Sequence, residues 1–68
     1  MKTVLNVSGM SCEHCVKAIT GAVKALPGVS GVDVNLADGI VTVEHDPSLV
    51  SVDSIKTEII EQGYEIVN

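Results

Sequence analysis

The chain has no tryptophan and no phenylalanine, and Tyr64 is its single aromatic residue. Stacking platforms for nucleobases are therefore missing. Arginine is absent too: four lysines face nine acidic residues, for a net charge of −5. Such a surface is repelled by phosphate backbones and anionic lipid heads, which argues against nucleic-acid and membrane partners. No apolar run approaches the roughly 18 residues of a membrane span. Between Met1 and Asn6 only Val4 and Leu5 are consecutive and strongly apolar, which makes no secretory h-region. The expectation is a cytoplasmic protein. Cysteine is scarce as well, with two residues three positions apart. In a reducing compartment that spacing favours a metal or redox site over a structural disulfide. A bridge closing so short a loop would restrain little of the unfolded chain.

What remains is globular in character. Hydrophobic residues make up 46% of the 68 and charged ones 19%, so the chain is not of the disordered class. That length holds one small domain, read as spanning 1–68, and a core with no room for a spacious cavity. No internal repeat, linker or low-complexity stretch interrupts it.

Thr3, Leu5 and Val7 alternate with Val4 and Asn6, as in a strand. Ser8-Gly9-Met10-Ser11 breaks that period. From Glu13 to Leu26, Val16, Ile19, Val23 and Leu26 recur at steps of three and four, and Ala18 and Ala22 widen the stripe into an amphipathic helix. Ser11 or Cys12 falls near its N-cap, Glu13 suits the positive end of the helix dipole, and Pro27-Gly28 ends it. Val32, Val34 and Leu36 mark a second strand, and Ala37-Asp38-Gly39 a hairpin turn. Ile40 to His45 is a third strand with Val41, Val43 and His45 on one face. Ser51 caps a second helix running to Gln62, whose buried face would hold Val52, Ile55, Ile59 and Ile60. Gly63 ends that helix, and Tyr64 to Val67 is a short fourth strand. The order is β-α-β-β-α-β. With right-handed crossovers this predicts an α+β domain, a four-stranded antiparallel sheet with two helices on one face.

The segment that carries chemistry is Gly9-Met10-Ser11-Cys12-Glu13-His14-Cys15. It lies where the first strand hands over to the first helix, so both sulfurs can converge at the surface. The unpaired N–H groups of a helix start favour thiolate, the form that binds metal. Zn²⁺ normally takes four ligands, and the chain has no second cysteine pair. Cu(I) is soft and is satisfied by two nearly linear thiolates, and Ag(I) or Hg(II) would bind by the same logic without being physiological. An open two-coordinate site leaves room for a third sulfur, so the ion can pass to another protein by ligand exchange.

The pattern G-M-x-C-x-x-C followed by a helix resembles the heavy-metal-associated domains, most closely the small bacterial copper chaperones of the CopZ type. The likeness runs along the chain: Leu5 and Val7 before the motif, Pro27-Gly28-Val29, Val32 to Leu36, Asp46-Pro47, and Gly63-Tyr64. It implies a ferredoxin-like fold, Cu(I) held by Cys12 and Cys15, and delivery to a copper-transporting P-type ATPase. It also implies that Met10 tucks beneath the loop as a hydrophobic tether and that Tyr64 approaches from a neighbouring loop. Gly9 and Ser11 would shape the loop, with His14 and Tyr64 modulating it. His14 stands in the second variable position of the motif, as in several bacterial relatives, and is not a common primary ligand. His45 departs from the pattern, because many relatives carry an aromatic residue there; its expected state is a half-buried strand end.

The main reading is a Cu(I) metallochaperone, not an enzyme. The nearest alternative is an isolated N-terminal metal-binding domain of a copper P-type ATPase; Met1 and the compact length favour a free-standing protein. A thiol-disulfide redox protein is more distant, since neither Pro27 nor Pro47 sits where a thioredoxin site places one. A c-type haem site needs His directly after the second cysteine, and Val16 is there instead. Relatives that handle zinc often carry an acidic residue where Ser11 stands, and soluble mercury carriers carry secretory leaders. A copper-responsive repressor is a second acceptor of the same kind, and two copies sharing four thiolates would give a metal-bridged homodimer. Lys17 and Lys24, read as lying near the loop, would steer an acidic partner face.

Overall fold

A computed structural model describes residues 1–10 and 13–67. Six elements follow in the expected order: β1 (Lys2–Ser8), α1 (Glu13–Lys24), β2 (Val29–Asn35), β3 (Ile40–His45), α2 (Val52–Glu61) and β4 (Glu65–Ile66). The strands form one sheet in the order β2-β3-β1-β4, every neighbouring pair antiparallel. This is the ferredoxin-like arrangement of two strand-helix-strand units.

The alternation along the strands decides which face is covered. Leu5 and Val7 of β1 and Val41, Val43 and His45 of β3 are buried, while Lys2, Val4, Asn6 and Glu44 are exposed. The covered face meets Ile19 and Val23 of α1 and Ile55 and Ile59 of α2, and Val50 closes the core beneath α2. α2 begins at Ser51, whose hydroxyl accepts from the Ser54 amide at 3.2 Å and so satisfies one of the unpaired N–H groups of the first turn.

Several details differ from the sequence expectation, among them the start of β2 at Val29 and its end at Asn35 rather than Leu36. α1 stops at Lys24 rather than Leu26: the Leu26 amide reaches back only three residues, to Val23 at 3.1 Å, tightening the last turn ahead of Pro27. β4 is two residues long: it pairs Ile66 with Val7 and Glu65 with Ser8, and beyond it the Val67 amide donates to the Asn6 carbonyl at 2.8 Å. Ile60 is 54% exposed, since Ile55 and Ile59 already define the face that α2 turns to the sheet. His45 is 2% exposed rather than half-buried. Its ring is held at both ends: Nδ1 donates to the Val50 carbonyl at 3.2 Å, and Nε2 meets the Thr3 hydroxyl at 2.8 Å. A buried polar ring is tolerated because both nitrogens have partners.

Asp46, directly after β3, makes the turn into α2. Its Oδ1 accepts from the Ser48 hydroxyl at 2.7 Å and the Ser48 amide at 3.0 Å. Those bonds favour the ionised carboxylate and hold its pKa below the ordinary 3.8.

Two outcomes follow from this packing. Ile59→Ala should cost about 2–5 kcal/mol in urea unfolding, whereas Ile60→Ala should stay within about 0.5 kcal/mol of the parent. Equal losses would mean that α2 is rotated on the sheet. Because the Asp46 pKa is lowered by folding, its contribution is full above the unfolded value and is lost as pH falls through the folded one. The destabilisation caused by Asp46→Ala should therefore be present at neutral pH and shrink below about pH 4; a deficit that persists at pH 2 would rule out the carboxylate as its cause.

Candidate metal site

The loop from Gly9 onward springs from the end of β1 and delivers the chain into α1. β1 is an interior strand: β3 pairs with it along Lys2 to Asn6 and β4 at Val7 and Ser8. The strand therefore releases Gly9 from a fixed position. Gly9 takes φ +92°, a left-handed conformation that lets the chain turn out of the sheet. A β-carbon built there would lie 3.7 Å from Cδ1 of Tyr64, so the tyrosine ring packs beside the first residue of the loop. Tyr64 reaches this place because β4 runs antiparallel to β1, with Glu65 opposite Ser8. Met10, half-buried, packs against the core cluster.

Cys15 lies in the first turn of α1 and is half-buried; Glu13 and His14 beside it are exposed. Ser11 and Cys12 lie outside the described residues. The structure thus gathers Gly9, Met10, Tyr64 and Cys15 at one end of the sheet, and leaves His14 at the surface of the same turn.

The charge at this end is mostly acidic. Glu13 opens α1, Asp38 sits in the hairpin turn, Glu61 ends α2 and Glu65 pairs with Ser8. Lys17, one turn into α1, is the cation nearest the loop on that helix. Lys24 is not near it: it occupies the last turn, about 16 Å from Glu13 at 1.5 Å per residue. The lysine pair read from the sequence is therefore split between the two ends of α1, because seven positions span two turns.

One contact was not visible in the motif. The hairpin turn between β2 and β3 folds against the end of β1, where the Val7 amide donates to the Gly39 carbonyl at 2.7 Å. The Ala37-Asp38-Gly39 turn is legible in the sequence, but its neighbour depends on strand order.

A family model, the heavy-metal-associated domain, matches residues 4–65. The chain belongs to that family. Within it, the copper chaperone CopZ of Staphylococcus aureus is 47% identical over 64 residues, covering 94% of each chain. Among solved structures, a CopZ metallochaperone superposes with a TM-score of 0.97 at 45% identity, covering 98% of this chain and 100% of that one. A copper binding domain from a P-type ATPase gives a TM-score of 0.90 at 33% identity, covering 98% and 93%.

Gly9→Ala should cost about 1–2 kcal/mol from its left-handed backbone alone, because the added methyl meets Tyr64 at an ordinary contact distance. Chemical unfolding would measure this, and an unchanged midpoint would mean that Gly9 does not hold that conformation.

Proposed function

We propose that the chain carries Cu(I), bound between the thiolates of Cys12 and Cys15. The observation that bears most weight is the placement of Cys15 in the first turn of α1, directly after a loop whose start is packed against Tyr64 and the core. Likeness to copper chaperones over 94% of the chain supports the choice of metal. The donor chemistry agrees, because soft thiolates select a soft monovalent ion and need no third ligand to hold it. Ag(I) and Hg(II) would occupy the same pair.

Gly9 and Ser11 shape the loop, Met10 tethers it to the core, and Tyr64 and His14 adjust it from beside the sulfurs. Delivery proceeds by ligand exchange. A thiolate of the acceptor adds to the ion to give a three-coordinate site, and one of Cys12 and Cys15 then leaves. The oxidation state does not change and no covalent bond of a substrate is broken, so the protein is a carrier rather than an enzyme. A copper-transporting P-type ATPase is the acceptor this reading assigns, with a copper-responsive repressor as a second. A copper-bridged homodimer would bring two acidic ends together, and is therefore favoured by salt that screens them. The residues 1–68 act as one metal-binding unit in the cytoplasm.

A second reading, a metal-binding domain of a copper P-type ATPase, draws on the likeness to the copper binding domain of such a pump. Both readings assign the same ion to the same sulfurs.

The test is an anaerobic Cu(I) titration of the reduced protein against a chromophoric Cu(I) chelator, repeated with Zn²⁺ as competitor. One Cu(I) per chain, or one per pair, held far more tightly than Zn²⁺ is expected. Cys12→Ser combined with Cys15→Ser should abolish that binding, and nanomolar affinity retained in the double variant would overturn the assignment.

A further inference from the structure

Two segments pack against the chain where it leaves β1: Tyr64 lies beside Gly9, and the β2–β3 hairpin turn contacts Val7. The second is the less expected, because the turn contains no residue with metal chemistry of its own that the motif would single out. Its contact with β1 leaves no room for a side chain at Gly39. The Val7 amide donates to the Gly39 carbonyl at 2.7 Å. Gly39 has φ +67°, and a β-carbon built on it would lie 2.9 Å from the Val7 carbonyl oxygen. That atom is backbone and cannot swing aside as a side-chain tip would, so any L-side chain at position 39 must displace either the turn or the end of β1.

Val7 is two residues before Gly9. Its side chain is fixed in the core and its other edge is paired with Ile66 of β4. A shift at its carbonyl therefore passes into Ser8 and Gly9, and from there along the chain toward Cys12. We infer that Gly39 is a positioning residue for the metal site: by lacking a side chain it lets the hairpin turn clamp Val7, and the clamp sets where the chain leaves the sheet at Gly9. This rests on the reading that Cys12 and Cys15 hold Cu(I). A two-coordinate site depends on such support, since a displacement of about 1 Å in a supporting segment is enough to loosen a preorganised site.

The experiment compares Gly39→Ala with Gly28→Ala. Gly28 is a matched control at the opposite end of the sheet, beside Asp46: it has φ +92°, and a β-carbon there would lie 2.6 Å from Cβ of Leu49. Both substitutions should lower the melting temperature. Cu(I) affinity, measured by chelator competition at a temperature where each protein is folded, separates them. Gly39→Ala should bind Cu(I) at least tenfold more weakly than the parent, and Gly28→Ala within twofold. In parallel, amide chemical shifts of Gly9 and Met10 should move in the first variant and not in the second. If Gly39→Ala does not fold, Gly39→Asn takes its place, because asparagine tolerates positive φ while keeping the β-carbon. Affinity within twofold of the parent in the folded position-39 variant would overturn the inference. So would equal weakening in both variants, which would make the effect one of global stability. A parent protein that binds no Cu(I) would instead overturn the metal assignment, a result distinct from either of these.

Discussion

The structure depends on β1 being held from both sides. β3 pairs with it over most of its length, β4 pairs with its last two residues, and Leu5 and Val7 anchor its covered face in the core. Everything the loop can do follows from that anchoring. In a strand at the edge of a sheet, the end would be free to fray, and the distance between a residue leaving the strand and one entering the helix would vary. Here the departure point at Gly9 and the arrival point in α1 are both fixed to the same small core, to which α1 contributes Ile19 and Val23.

This economy suits a carrier. A site that must hold an ion and also surrender it gains from a rigid base and an exposed top. The base is supplied by Val7, Met10 and Tyr64, and the top by Glu13 and His14 at the surface of the first turn. Such a division leaves the surface of the first turn of α1 exposed while the fold beneath it stays packed. The predominantly acidic end around the loop adds a constraint on partners, because an approaching surface rich in carboxylates would be repelled and one rich in cations would be drawn in.

The far end of the sheet does a different task. His45 ties the end of β3 to Thr3 of β1 and to the Val50 carbonyl at the entry to α2, and the Asp46 amide bonds the Gly28 carbonyl at 2.8 Å. These polar links join β1, β3, the entry to α2 and the start of β2 through directional bonds, in a chain with only one aromatic residue.

Much of this was legible without the structure. The period of two in β1, β2 and β3, the three-and-four spacing of Val16, Ile19 and Val23, and the breakers at Pro27-Gly28 and Gly63 determined the order of elements, because local periodicity and backbone stereochemistry act on neighbouring residues alone. The strand-to-helix position of Cys15 came from the same source. Tertiary structure decided the rest, since it depends on which elements become neighbours. It sent Ile60 outward once Ile55 and Ile59 had taken the core face, buried His45 by giving both ring nitrogens partners from distant segments, and split Lys17 from Lys24 along α1. It also set the Gly39 turn against Val7. A sequence states that a glycine can turn the chain; only the order of strands in the sheet decides what that turn will touch.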